Sequence, residues 1–334
     1  MQSRTRILAA LMGIAGFAAA SAGQAATIMG DLYYTLFTGG LNVNKISYMY
    51  DETTMVFTLG ASVNVASTAG ADGIIFAPNG NLLIGGQGSG NVYEVDPTTG
   101  AVLSTTSTST ASFHLSLDPT GTKVYTSDFG GPLQTVGLPL TPAGFVTTGI
   151  SGSESGITQI AFDSAGSTFY VQGSPNGFGN VGHIDISTGA TARLFTSLRP
   201  AHGLVADSFT GLMTMFGAGF VGTFNSLAGS DALIVSSLKT FDTGICDFDQ
   251  GALDGKGHAL VAGCSGITFI DYHTSGDITA PDFVAFRGGF SGIDDVAPLS
   301  GLGSTPGVPE PSTLGLLAAA LAGLTVARSR QRAR

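Results

Sequence analysis

Basic side chains are scarce in this chain. Lys and Arg number 13 against 23 Asp and Glu, and six of the 13 stand at the two ends: Arg4, Arg6, Arg328, Arg330, Arg332 and Arg334. The stretch between keeps seven cations against 22 carboxylates, a net charge of about −15. No basic patch remains for phosphates, so nucleic acid is excluded as a partner. Tryptophan is absent, and glutamate occurs only as Glu52, Glu94, Glu154 and Glu310, so the acidity is mostly aspartate. Outside the termini no run of ten residues reads as a helix, because Gly, Thr and Ser interrupt every candidate; this excludes helical classes. There is no Gly-x-Ser-x-Gly, no His-Glu-x-x-His, no phosphate loop and no EF-hand loop, so the usual local pointers to catalysis are missing.

What is present begins with the ends. Arg4 and Arg6 precede an apolar stretch from Ile7 to Ala20 and the small residues Ser21-Ala22-Gly23-Gln24-Ala25-Ala26. This is the pattern of a secretory signal peptide occupying 1–26. At the other end, Val308-Pro309-Glu310-Pro311-Ser312 is followed by an apolar run from Thr313 to Ala327 and then four arginines. As a helix, Leu314 to Ala327 spans roughly 21 Å, short of a hydrocarbon core of roughly 30 Å. The arginines hold the extreme C-terminus on the cytoplasmic side of the inner membrane. Pro309 and Pro311 keep the preceding chain extended, a form that suits a protease cleft.

The order Pro-Glu-Pro, short transmembrane helix and arginine cluster closely resembles the PEP-CTERM sorting signal of Gram-negative bacteria. The resemblance implies that 309–334 is handled by an exosortase, a membrane protease acting near Pro309-Glu310-Pro311. The expected organisation is a signal peptide (1–26), a folded body (27–300), a linker (301–308) and the sorting signal (309–334). The expected location is the cell surface or the extracellular space after C-terminal processing.

The body repeats. A turn recurs between short apolar runs as Ala77-Pro78-Asn79-Gly80, Asp118-Pro119-Thr120-Gly121, Asp163-Ser164-Ala165-Gly166 and Asp207-Ser208-Phe209-Thr210-Gly211, with a longer copy read from Phe248-Asp249 to Gly255. The turn glycines at 80, 121, 166, 211 and 255 stand 41, 45, 45 and 44 residues apart. A second turn, Asp96-Pro97-Thr98-Thr99-Gly100, returns as Asp185-Ile186-Ser187-Thr188-Gly189 and as Asp271 to Gly276. In each, Asp and Thr side chains bond nearby amides and Gly takes positive φ. A period near 45 with about four short strands per unit predicts an all-β propeller. Strand runs starting near 74, 114, 158, 203, 245 and 293 make six blades. The sixth run is incomplete, so Asp31–Phe37, Val43–Tyr50 and Thr54–Leu59 are expected to finish the last blade from the N-terminal side. The turns resemble those of YVTN, NHL and gluconolactonase-like six-bladed propellers.

Innermost propeller strands line a central channel. Asp72, His114, His202, Asp247 and Asp294 fall near the starts of those strands. Two readings stand: they converge on one divalent cation, Ca2+ or another, or they bond neighbouring amides in a polar channel wall. Asp294-Asp295 is a paired carboxylate, but adjacent strand residues face opposite sides and share an ion only across a bulge. The calcium-dependent lactonases of the gluconolactonase-like group place a Glu ligand on an early inner strand, and none of the four glutamates stands there. Phe178, Phe220 and Phe290 lie in Gly-rich segments as blade packing or as a sugar-stacking surface. The only cysteines, Cys246 and Cys264, are bound for an oxidising compartment. A hairpin centred on Gly255 pairs residues whose numbers sum to 510, which sets them opposite one another as a disulfide. The function expected is that of a non-catalytic surface or extracellular-matrix scaffold without a cofactor, binding exopolysaccharide or another envelope protein; the alternative is a metal-dependent hydrolase or lactonase working in the channel.

The tail makes the first prediction. Intact mass of the protein recovered from its host should lack the segment after about residue 310. Recovery of the chain through Arg334 from wild-type cells would contradict exosortase processing.

Overall fold

A computed structural model describes residues 27–108, 110–130, 133–140, 148–149, 156–173, 179–245, 248–263 and 265–297. The expected signal peptide, Pro309-Glu310-Pro311, the short apolar span, both cysteines, Asp247 and Phe178 lie outside the described residues.

Three antiparallel strands open the fold: β1 (Thr27–Leu36), β2 (Val43–Asp51) and β3 (Val56–Ala66). Five four-stranded meanders follow. The first is β4 (Ile74–Phe76), β5 (Leu82–Gly85), β6 (Asn91–Val95) and β7 (Val102–Ser107). The second is β8 (Leu115–Leu117), β9 (Lys123–Thr126), β10 (Gln134–Gly137) and β11 (Thr148–Gly149). The third is β12 (Ile157–Phe162), β13 (Thr168–Gly173), β14 (Gly179–Ile184) and β15 (Thr191–Leu198). Next come β16 (Ala201–Ala206), β17 (Met213–Gly217), β18 (Phe220–Phe224), a short helix α1 (Asp231–Ser236) and β19 (Lys239–Asp242). The fifth is β20 (Phe248–Leu253), β21 (His258–Gly263), β22 (Gly266–Asp271) and β23 (Phe283–Gly288). The last strand, β24 (Ile293–Val296), joins the first three in the order β24-β1-β2-β3. The first strand of each sheet touches the first strand of the next around a closed ring. The fold is a six-bladed β-propeller whose last blade is built from both ends of the chain.

The repeated turns work as the sequence predicts. Gly80, Gly121, Gly166, Gly211 and Gly255 all have φ between +68° and +87°, the left-handed region that a Cβ disfavours. Asp118 Oδ1 accepts the amides of Thr122 and Lys123, and Asp163 Oδ1 accepts those of Ala165 and Ser167. Asp96 and Asp185 hold the second turns in the same way through Thr98 and Ser187. Glu94, near the end of β6, accepts the side-chain amides of Asn79 and Asn81, so its carboxylate is committed to a turn. The helical residues occupy one of the longer connections, where Ser230 caps the helix by accepting the amide of Leu233.

The fifth turn corrects the reading of its copy. Asp254 N–H donates to the His258 carbonyl, and Asp254 Oδ1 accepts the amides of Lys256 and His258. Asp254 therefore plays the part of Asp163, and the true copy begins at Leu253 rather than Phe248. The hairpin is centred one residue later than expected. Leu253 pairs with Ala259, Ala252 with Leu260 and Gly251 with Val261, so the pairs sum to 512, and a register shift brings Phe248 opposite Gly263. The register that set Cys246 opposite Cys264 is not the one formed in this hairpin.

Each blade packs apolar side chains against its neighbours. The closing blade contributes Leu32, Ile46, Tyr50 and Phe57 to a core shared with Leu260, Phe269 and Ala285 of the fifth. Phe57 stacks on Phe269 with centroids 4.7 Å apart and planes 12° from parallel. Phe220 is buried in the fourth blade, and Phe290 packs partly buried against the closing one; both serve packing. Leu32 is fully buried there, so Leu32→Ala should cost about 2–5 kcal/mol. Removing residues 27–60 should abolish the single cooperative melt of the β-rich circular dichroism spectrum, because it leaves β24 unpaired. An unchanged melting temperature in the truncated chain would mean that the ring is open.

Candidate functional site

Each inner strand starts at one mouth of the channel, and the register brings polar residues there. Asp72, Thr158, His202 and Asp249 each stand five residues before a turn-opening residue, Ala77, Asp163, Asp207 and Asp254. His114 stands four before Asp118. In four inner strands the ladder breaks at this level: beside Thr158 in β12, His202 in β16, Asp249 and Gln250 in β20, and Asp294 and Asp295 in β24. The break in β24 is a bulge, since Leu36 pairs with Ile293 and Tyr34 with Val296, leaving two aspartates opposite Thr35. Bulges re-aim side chains. This one brings both Asp294 and Asp295 into the same carboxylate cluster, where strict alternation would have parted them.

Small residues let the strands approach closely enough. A Cβ on Gly73 would lie 2.7 Å from the His114 Cα, and one on Gly173 would lie 2.5 Å from the His202 Cδ2. Glycine at those positions allows both histidines to reach the axis. Thr35 ties the closing blade to the mouth: its hydroxyl donates to the Asp72 carbonyl and accepts from the Asp295 amide.

The resulting cluster centres on His114, whose side chain is 1% exposed. Its Nε2 lies 2.8 Å from Asp249 Oδ1, 3.6 Å from Asp295 Oδ2 and 3.7 Å from Asp72 Oδ1. Its Nδ1 donates to the His202 carbonyl at 3.1 Å, which fixes the ring so that Nε2 faces the carboxylates. His202 Nδ1 is 3.6 Å from Asp249 Oδ1. Asp294 stands close enough to Asp72 for the two carboxyls to share a proton. Asp295 Oδ1 accepts the Gln250 amide at 3.0 Å. Besides Asp249 Oδ1, which faces His114, three buried carboxylate oxygens of this cluster have no hydrogen-bond partner: Asp72 Oδ1, Asp294 Oδ2 and Asp295 Oδ2. The ligand atoms of Asp72, His114 and Asp295 lie within 4.8 Å of one another.

Such crowding shifts every group. Burial, reinforced by Asp294, Asp295 and Asp249, raises the Asp72 carboxyl well above its ordinary range. Asp294 is raised by burial and by Asp249 and Asp295. Burial lifts Asp295 to about 7, against an opposing pull from His114. Burial alone would lower His114, but Asp295 and Asp249 carry it up to about 10. Burial would raise Asp249, yet His114 and His202 hold it below the usual carboxylate range. Several carboxylates around one imidazole are over-supplied with negative charge, and a buried charge of this kind requires a compensating cation or protons.

Of the residues singled out from sequence, Asp72, His114, His202 and Asp294 meet at this mouth. Asp249 was missed, and Asp295 was paired with Asp294 only on condition of a bulge, which the structure forms. Asp249 carries the same five-residue offset as Asp72 and His202 once the turn is opened at Asp254. Asp295 carried no such signal, because only the bulge turns it inward. Farther along the channel, Gln159 bonds the Leu115 carbonyl and the Leu204 amide, while Gln250 donates to Ile74. The opposite mouth is an apolar cavity of about 360 Å³ lined by Ile75, Leu115, Ile160 and Leu204.

These shifts fix a pH dependence. The folded state holds on to carboxyl protons that the unfolded chain releases near pH 3.8, so their stabilising effect is lost as pH rises through about 7. The His114 contribution is complete below 6.5 and is lost as pH rises through about 10. Both act in one direction. The melting temperature of chelator-treated protein should therefore fall between about pH 5 and pH 8. Millimolar calcium should restore it near pH 8 by about 5–10 °C, the effect of roughly 100-fold saturation on a domain of this size. Asp295→Asn should flatten both responses. A flat profile in wild-type protein would refute the coupling.

Comparison with known proteins separates the body from the tail. No curated protein matches the chain. Its fold is similar to a chain of a nidogen/laminin complex, with TM-score 0.57, 10% identity and coverage of 82% of this chain and 99% of that one. Hydrazine synthase of Kuenenia stuttgartiensis gives 0.51 at 13% identity, covering 77% and 84%. The Cps50 (Swd1) β-propeller domain of Myceliophteria thermophila gives 0.50 at 12%, covering 82% and 93%. At these identities the likeness is one of fold alone. Residues 307–331 match the PEP-CTERM protein-sorting motif. The chain thus joins a six-bladed β-propeller to a PEP-CTERM sorting signal, which directs export and exosortase-dependent C-terminal processing to the cell surface or extracellular space.

Proposed function

We propose that the processed protein is a non-catalytic binding or scaffold propeller of the bacterial surface or extracellular matrix, engaging exopolysaccharide through the acid–imidazole mouth of its channel. The observation that carries this reading is the gathering of acid and imidazole side chains from five blades at one mouth, with the ligand atoms of Asp72, His114 and Asp295 within 4.8 Å of one another and orphaned oxygens on Asp72, Asp294 and Asp295. Four carboxylates and an imidazole form an oxygen-rich set that fits a divalent cation such as calcium. Asp72, His114, Asp249 and Asp295 would hold it, with Asp294 and His202 at its margin. Bound there, the ion supplies positive charge that an acidic or hydroxyl-rich polymer can meet.

Among the described residues, the cluster is open on the Asp249 and His202 side. The Asp249 and His202 side chains are each 23% exposed, whereas His114, Asp72 and Asp295 are almost completely enclosed. Beside His114 the rings of Phe113 and Phe129 stack 4.5 Å apart and 10° from parallel, both half-buried. A flat apolar ledge next to a cation suits a sugar ring with its hydroxyls turned inward. The acidity of the body keeps it soluble and makes a cation necessary for contact with an anionic polymer.

The same open edge favours one other reading. A hydrolase or lactonase needs an open position on its metal, and the His202 side provides an approach to it. Calorimetry with calcium, followed by binding of the host's exopolysaccharide with and without chelator, tests the first reading. An esterase and lactonase screen tests the second. Calcium-dependent retention on the polymer, weakened by Phe129→Ala and unaccompanied by turnover, is the expected result. Turnover abolished by His202→Ala would replace the binding reading, and absence of polymer binding with calcium present would remove it.

A further inference from the structure

A second group of ligand-bearing side chains lies away from the channel, where the closing blade meets the fifth. Glu52 stands in the turn between β2 and β3, His258 opens β21, and His273 follows β22. Their ligand atoms lie within 4.8 Å of one another. The arrangement has the second shell of a metal centre. His258 is 3% exposed, and its Nδ1 meets Asp254 Oδ2 at 2.6 Å. That contact orients the ring and leaves Nε2 pointing at Glu52 Oε1, 3.8 Å away, and Asp271 Oδ1, 3.6 Å away. Nε2 is buried without a hydrogen-bond partner. His273 Nδ1 donates to the Lys256 carbonyl at 2.8 Å, which leaves its Nε2 as the ligand atom. A carboxylate or carbonyl on the far nitrogen of each ring is what orients imidazoles for a metal.

The rings are held further by packing. His258 lies nearly parallel to His273, with centroids 5.8 Å apart, and to Phe269 at 5.9 Å. His273 lies nearly parallel to Phe209 at 5.8 Å. Asp271 is anchored by the Tyr50 hydroxyl on Oδ2 and by the His273 amide on Oδ1. Donors about 2.1 Å from a tetrahedral ion stand about 3.4 Å apart, close to the separations from His258 to Glu52 and Asp271.

We infer that Glu52, His258 and His273 form a site for a borderline transition-metal dication of the zinc class, with the fourth position open to water or to Asp271. Two imidazoles and one carboxylate select such an ion over calcium or magnesium, which prefer all-oxygen sets. The ion clips the N-terminal strands of the closing blade to the fifth blade. It acts at the junction through which the ring closes and is independent of the channel cluster.

The test uses tag-free processed protein, stripped with chelator, and zinc chloride as the probe. Calorimetry should show one more equivalent of zinc bound by wild-type protein than by His273→Ala, with affinity at this site reduced by at least about 100-fold. Cobalt(II) should give visible ligand-field bands in the wild-type protein that His273→Ala lacks, and zinc should raise the wild-type melting temperature more than the variant's. The channel variant Asp295→Asn should keep the cobalt bands, which separates the two sites. If His273→Ala fails to fold by circular dichroism, Glu52→Gln provides the same comparison from an exposed turn. Identical zinc isotherms and cobalt spectra in the wild-type protein and a folded variant would overturn the site.

Discussion

Everything in this structure depends on the pairing of β24 with β1. Five meanders follow in sequence, and each is complete in itself. The sixth exists only when the end of the body reaches back to its beginning, with Tyr34 opposite Val296 and Leu36 opposite Ile293. The closure removes two free sheet edges, which would otherwise pair with other chains. It also traps Leu32, Ile46, Tyr50 and Phe57 against the fifth blade. The N-terminal strands are therefore fixed by contacts more than two hundred residues distant in sequence, such as Tyr50 to Asp271.

Closing the ring is also what concentrates charge. Six strands converge on a narrow axis, and any polar residue at a strand start is pressed against its counterparts. Apolar residues dominate the far mouth, whereas aspartate and histidine fill the near one. Gathering three buried aspartates and a half-buried fourth around His114 is costly without a compensating charge. The fold accepts that cost at the level where its ladders bulge, a place where strain and re-aimed side chains are associated with function. The metal-binding readings of both clusters rest on the same physical sign, buried nitrogen or oxygen atoms with ligand geometry and no partner.

The repeat was legible because turns are local. Asp at the first position accepts amides two to five residues on, and glycine supplies positive φ; these needs are met within a few residues and leave a pattern in the chain. From their spacing came six blades, their order and the closure of the last. The fifth hairpin was misread for the opposite reason. Phe248-Asp249 imitates the apolar-Asp opening of the other turns, and only the amides accepted by Asp254 reveal which aspartate holds the turn. A shift of that size leaves the blade intact but changes which residues face one another.

The sequence by itself determined the all-β propeller, the sorting signal at its C-terminal end and the placing of four residues of the channel cluster, since these follow from periodicity, a short linear motif, turn chemistry and strand register. Tertiary structure alone decided that Asp295 joins Asp294 inside the channel, because a bulge opposite Thr35 is set by how β24 meets β1. It alone decided that Glu52 stands beside His258 and His273. The two histidines share the β21–β22 hairpin, but Glu52 comes from another blade, and no spacing along the chain records an approach that ring closure imposes.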